Sequence, residues 1–191
     1  WEEDMPDGDV TTLSTIPDEA CIQAEIHAME ELVFAGNTII PHCFGKGCQV
    51  EINSDDGDFL SRGDVIGIIE GTARDILSRE RVMLNLVQRL CGIATVAQQY
   101  AKLADPYNVK ILDTRKTTPG IRLFEKYAVV IGGAYNHRLN LSDGILIKDN
   151  HIVSAGSINK AIEFARKSRG DLPLEVEVDN LDQINESLIL G

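Results

Sequence analysis

From residue 108 onward the chain alternates short apolar runs with helical stretches, and that alternation limits the folds open to it more than any other feature. The runs at 109–112, 145–147 and 174–178 read as strands, with helical patterns over 122–128 and 157–167 between them. The last two runs start about thirty residues apart, the length of a βαβ unit. Such a series predicts a parallel sheet, open or closed into a barrel. One helix after the strand ending at Val178 leaves too few strands to close a barrel, and the sequence opens on Trp1, so the 191 residues read as part of a longer polypeptide.

The first ninety residues predict a separate α+β layer. Residues 20–28 alternate apolar and polar, whereas Met29, Leu32 and Val33 fall nearer a helical spacing, which predicts a strand passing into a helix. Residues 50–52 and 65–71 read as strands about the acidic turn Asp55-Asp56-Gly57-Asp58. The stretch 56–65 is similar to the hammerhead turn of biotinyl and lipoyl carrier domains. It lacks their attachment lysine, so it implies a fold element and no carrier function. Residues 73–90 and 94–104 predict two helices, the second stopped by Asp105-Pro106. On the first, Ile76, Leu84, Val87 and Cys91 mark an apolar face and Arg81, Asn85 and Arg89 a polar stripe, which by spacing alone is a solvated face.

Charge narrows the function. Residues 1–60 hold 14 Asp and Glu against Lys46 alone, a balance of −13, while the remainder holds 17 basic and 16 acidic residues, a balance of +1. An acidic front half argues against nucleic acid. No apolar run approaches the roughly 18 residues of a membrane span. The acidic first twenty residues do not resemble a signal peptide, so a cytoplasmic location is expected. Cys43 and Cys48 beside His42 form a weak zinc pattern without a second ligand pair, and reduced structural cysteines are the better reading.

Against this acidity, Arg115, Lys116, Arg122, Lys126, His137, Arg138 and Lys148 gather within about forty residues, the spacing of loops at the mouth of an α/β fold. Arg115 and Lys116 follow one strand and Lys148 another, at the carboxyl ends where α/β folds bind ligands. Arg offers a fork for carboxylate or phosphate and Lys a point charge. The competing reading makes these cations salt-bridge partners of Asp113, Asp143 and Asp149. On the last strand Glu175, Glu177 and Asp179 alternate with Leu174, Val176 and Val178, so the acids share one face. Inward carboxylates are costly unless they meet a cation. Mg²⁺ shared with phosphate oxygens would serve, or a lysine for Glu175.

Taken in order, the stretch 81–95, Leu112-Asp113-Thr114-Arg115-Lys116-Thr117-Thr118-Pro119-Gly120, Glu125-Lys126-Tyr127-Ala128-Val129, Asn136-His137-Arg138-Leu139 and Leu146-Ile147-Lys148-Asp149-Asn150-His151 resemble the quinolinate phosphoribosyltransferase family. The resemblance runs over essentially the whole chain. It implies an α/β fold with an N-terminal open-faced α+β sandwich over 1–105 and, from 106 to 191, the first part of an incomplete α/β barrel. It implies phosphoribosyl transfer from phosphoribosyl pyrophosphate to quinolinate with decarboxylation, in NAD biosynthesis, by a homodimer or an assembly of dimers. Arg81, Arg115, His137, Arg138 and Lys148 would then hold the two quinolinate carboxylates, Arg81 reaching the neighbouring subunit's site. Thr114 and Lys116 would bind substrate, Lys116 on the phosphoribosyl pyrophosphate side, and Glu177 would bind Mg²⁺ or ribose. Lys116, Lys148 and Glu177 are the expected catalytic residues. The family's second metal-binding Asp and its glycine-rich phosphate loops are not in these residues, and 132–135 is less glycine-rich than usual. Two other readings are a paralogous phosphoribosyltransferase-like protein of molybdenum transport clusters and a noncatalytic assembly module.

Overall fold

The hammerhead segment is built from one turn used twice. In a computed structural model describing residues 1–189, Asp58 N donates to Asp55 O and Asp64 N to Ser61 O, each at 3.1 Å. Gly57 (φ 98°) and Gly63 (φ 97°) hold the third turn position, where positive φ favours glycine. Each turn's closing aspartate also accepts from the first residue's amide at 2.8 Å.

The chain divides into two compact units, 1–136 and 137–191. In the first, α1 (Val10–Thr15) precedes β1 (Cys21–His27), β2 (Leu32–Val33), α2 (Ile40–Cys43), β3 (Gln49–Ile52), β4 (Phe59–Leu60) and β5 (Val65–Thr72). Strands β1, β5 and β3 form an antiparallel sheet in that order, with Cys21 opposite Thr72 and Gln49 opposite Glu70. One long helix follows, α3 (Ala73–Ala104), then α4 (Arg122–Ile131). Ile26, Ile66 and Ile69 from the sheet meet Ile76, Met83, Val87 and Cys91 of α3. Leu90 and Ala94 of α3 meet Ala128 of α4. Gly132 ends α4 where a Cβ would lie 2.4 Å from the Ala94 carbonyl oxygen, so glycine permits the close approach.

Three expectations change here. Residues 29–34 form no helix, because β2 pairs with β4 and the flanking amides have distant partners. Val33 N donates to Thr95 Oγ1 (2.9 Å) and Phe34 N to Asp58 O (2.9 Å). The two helices at 73–90 and 94–104 are one. Gly92 costs about 1 kcal/mol against alanine in a helix, but buried Leu90, Cys91 and Ala94 hold the helix through it. The strand expected at 109–112 shrinks to a single parallel bridge between Leu112 and Tyr135, with Val109 and Leu112 exposed.

In the second unit β6 (Ile145–Ile147) and β7 (Leu174–Val176) pair in parallel, Ile147 opposite Val176. Between them run α5 (Asp149–Ala155), for which no pattern was read, and α6 (Ile158–Arg169); α7 (Leu181–Leu188) follows. Ile158, Ala161 and Ile162 pack with Ile147. Ser157 and Asn180 cap α6 and α7 by accepting from Lys160 N and Gln183 N. Among the described residues no barrel closes, as an incomplete α/β barrel requires, and no helix is long and apolar enough to cross a membrane.

Candidate functional site

Two loops carry the cations, one in each unit. In the first, the 113–118 loop is clamped at both ends by carboxylates with side chains 7% exposed. Asp113 pairs with Lys126 of α4 at 2.5 Å. At the far end Glu125 accepts from Thr118 N (3.0 Å) and from Arg89 Nε (2.6 Å), while Arg89 Nη2 donates to Thr118 Oγ1 (2.7 Å). Burial pushes the Glu125 carboxyl up; hydrogen bonds from Arg89 and Thr118 outweigh it, leaving the group below its ordinary value. Arg122 Nε donates to Thr117 Oγ1 (2.8 Å).

Between the clamps, Thr114 and Lys116 are exposed and Arg115 is half-buried. Thr114 Oγ1 accepts from Lys116 N at 3.0 Å, tightening the turn. Arg115 Nε is buried without a hydrogen-bond partner. A desolvated guanidinium N–H of this kind is costly to leave unpaired and is suited to an anion. Arg81, also in the first unit, is exposed on α3, as is Asn85 one turn on.

In the second unit, sheet register makes the site. Because Ile147 sits opposite Val176 and Glu177 N donates to Ile147 O (2.8 Å), the next residues, Lys148 and Glu177, become neighbours at the carboxyl ends of parallel strands. Lys148 Nζ meets Glu177 Oε2 at 2.8 Å, and His137 Nε2 meets Glu175 Oε2 at 2.9 Å. The alternation along the last strand holds: Glu175, Glu177 and Asp179 are exposed, and Leu174, Val176 and Val178 face the small core. Arg138 Nη1 donates to Gly144 O (2.9 Å), whereas its Nε is buried and unpartnered like that of Arg115.

The structure thus groups Thr114, Arg115 and Lys116 in one loop and His137, Arg138, Lys148 and Glu177 in the other unit. Lys126 leaves the anion-binding set, because it is 2% exposed and bound to Asp113; for this residue the salt-bridge reading is right. Glu125 and Asn136, which brace the loops, were not singled out for any role. The signal for Glu125 lay in α4, where adjacent Glu125 and Lys126 are buried together with Ala128.

Residues 9–91 match the quinolinate phosphoribosyl transferase N-terminal domain, and residues 93–191 its C-terminal domain. The chain is 46% identical to a probable nicotinate-nucleotide pyrophosphorylase [carboxylating] of Bacillus subtilis, over 99% of this chain and 66% of the relative. It is 42% identical to the chloroplastic nicotinate-nucleotide pyrophosphorylase [carboxylating] of Oryza sativa, over 97% of this chain and 52% of the relative. The crystal structure of NadC from Streptococcus pyogenes superposes with a TM-score of 0.92 at 40% identity, covering all of this chain and 69% of that one. The chain spans between about half and two thirds of the length of these curated relatives.

Proposed function

The chain belongs to the quinolinate phosphoribosyltransferase family, and from that premise we propose that its full-length protein condenses quinolinate with phosphoribosyl pyrophosphate. The products are nicotinate mononucleotide, pyrophosphate and CO₂, the reaction placed in NAD biosynthesis. The observation that carries the proposal is the pair of buried, unpartnered guanidinium nitrogens at Arg115 and Arg138, each beside a further cation or imidazole, Lys116 and His137. Two adjacent carboxylates on one ring need such preorganised donors.

Arg81, Arg115, His137, Arg138 and Lys148 bind and orient the dicarboxylate, with Arg81 supplied to the partner of a homodimer. Thr114 and Lys116 bind substrate, Lys116 on the phosphoribosyl pyrophosphate side. Glu177 fits one role in holding Mg²⁺, because its carboxylate is exposed and Lys148 engages only one of its oxygens; Mg²⁺ is commonly held by one or two carboxylates together with substrate phosphates. When bound, the ion offsets charge on the departing pyrophosphate. The ring nitrogen attacks the ribose carbon as pyrophosphate leaves. Loss of the neighbouring carboxylate as CO₂ then leaves a carbanion beside the cationic nitrogen, and Lys148 stabilises it until it is protonated. A division into a sandwich over 1–105 and a barrel from 106, and a cytoplasmic location, belong to the same proposal. The relatives' names support this reading over the transport-cluster paralogue and the assembly module.

Steady-state kinetics of the full-length protein test it. Arg115→Ala and Arg138→Ala should each weaken transition-state binding by about 2 to 5 kcal/mol, with the fold intact by circular dichroism. Normal quinolinate KM and turnover in both variants would reject the cation loops as the substrate site. Mixing inactive Arg81→Ala and Lys116→Ala subunits should restore activity in heterodimers, since one of the two sites regains both residues.

A further inference from the structure

Both cation loops leave from one polar cluster, enclosed at Asp113 and Lys126 and open at Asn136. Asp113 immediately precedes Thr114-Arg115-Lys116, and Asn136 immediately precedes His137-Arg138. Their backbones run side by side in the parallel bridge, Tyr135 N donating to Ile111 O (2.9 Å) and Asp113 N to Tyr135 O (3.0 Å). Side chains then lock the two departure points together. Lys126 Nζ donates to Asp113 Oδ1 (2.5 Å), and with the Asn136 amide assigned to match its acceptor neighbours, Nδ2 donates to Asp113 Oδ2 (2.7 Å) and to the Lys126 carbonyl (3.0 Å). Lys126, at 2% exposure, is far more enclosed than a lysine that merely solubilises a helix.

We infer that Asp113, Lys126 and Asn136 are positioning residues that fix the root of the 114–118 loop and the residue from which His137-Arg138 departs. This rests on the activity proposed above. None of the three contacts substrate in this scheme. Asp113 uses its two oxygens to bind one residue from α4 and one from the second loop's root, and Lys126 keeps the buried carboxylate compensated. The side-chain cluster adds to the backbone bridge a second set of bonds between the two roots. Displacing a reacting group by about 1 Å can cost on the order of 100-fold in rate, so loss of the anchor acts on kinetics before it acts on the fold.

The experiment uses the full-length protein and separates anchoring from stability. In Asp113→Leu/Lys126→Met the buried pair is replaced by apolar side chains, which frequently preserves stability. That variant should melt near the wild type yet show faster amide exchange over 114–118 and 137–139. Its kcat/KM for quinolinate and for phosphoribosyl pyrophosphate should both fall, by about 10- to 100-fold, through a higher KM and a lower kcat. Asn136 is exposed, so Asn136→Ala keeps the fold. It should raise the quinolinate KM more than that for phosphoribosyl pyrophosphate, because it frees only the His137-Arg138 loop. A double variant with wild-type melting, exchange and both kcat/KM values would reduce the cluster to a replaceable core element and overturn the inference. If the double variant does not fold, Asn136→Ala decides alone: unchanged exchange over 137–139 and unchanged KM overturn it. If the wild type neither binds nor converts quinolinate, the activity proposal fails, and the exchange measurements still decide whether the cluster anchors the loops.

Discussion

Lys126–Asp113 and Lys148–Glu177 are the same chemical pair closed over 2.5 and 2.8 Å, one in each unit, and they differ in their access to water. The first has side chains 3% and 7% exposed, the second 41% and 54%. An exposed pair contributes about 0 to 1 kcal/mol, so either partner can be lent to a substrate anion or a metal ion without loss of structure. A buried pair behaves oppositely, because removing one partner strands a charge. The hydrophobic cores repeat the contrast. Phe34, Ile40, Ile76, Met83 and Leu90 are almost wholly enclosed in the first unit. In the second, the core around Ile147, Ile158 and Ile162 is small. A cation is architecture in one setting and a ligand-binding group in the other, and burial decides which.

The contrast is broken most directly by removing each lysine in turn. Lys126→Met should destabilise the protein by about 3 to 5 kcal/mol, read as a lowered denaturation midpoint in urea at unchanged slope. A loss no larger than that from Lys148→Met would mean that water reaches Asp113 and that the two pairs are equivalent.

That difference could not be read from the sequence, although much around it could. The strands at 50–52, 65–71 and 145–147, the α4 helix and the exposed Arg81-Asn85-Arg89 stripe follow from local periodicity, which survives whatever the rest of the chain does. The helix expected at 29–34 failed because its amides bond to Asp58 and Thr95, partners distant in sequence. The helices expected at 73–90 and 94–104 are one, held together by the packing of Leu90 and Ala94. Lys126 and Lys148 both sit among apolar neighbours in a basic stretch, and only the fold shows that one meets Asp113 inside and the other Glu177 outside. The roles assigned to Arg81, Arg115 and Lys148 rest on family resemblance, because no local pattern distinguishes a ligand-binding cation from a solvated one.

An intermediate effect comes from Glu125, the other carboxylate that clamps the first loop. Its folded pKa lies below the ordinary 4.5, since burial, which raises it, is outweighed by Arg89 and Thr118. A group depressed on folding stabilises the folded state fully above its unfolded pKa, and that stabilisation is lost as pH falls through the folded value. Acid should therefore loosen the 114–118 loop below pH 4.5, while the neutral range stays flat. Glu125→Gln should cost about 1.5 to 3 kcal/mol at neutral pH, the worth of hydrogen bonds to a charged group, and should flatten the acid limb. Unfolding measured against pH would contradict this clamp if the variant kept the wild-type acid slope.

The smallest expected change in stability is at Lys148, and it sharpens the comparison most. The Lys148–Glu177 pair is half open to solvent on both sides, so Coulomb attraction there is screened and offset by the entropy of holding two long side chains. Lys148→Met should shift stability by no more than about 1 kcal/mol, and raising the salt concentration should shrink even that. Turnover should nevertheless fall, because in the proposed reaction the same ammonium faces a carbanion that exists only near the transition state. The decisive measurement pairs urea unfolding with kcat on one preparation. Near-normal stability with a large loss of kcat would mark Lys148 as a group held in reserve for the ligand. A stability loss approaching that of Lys126→Met, with kcat tracking the folded fraction, would make it a second structural lysine and remove it from the chemistry.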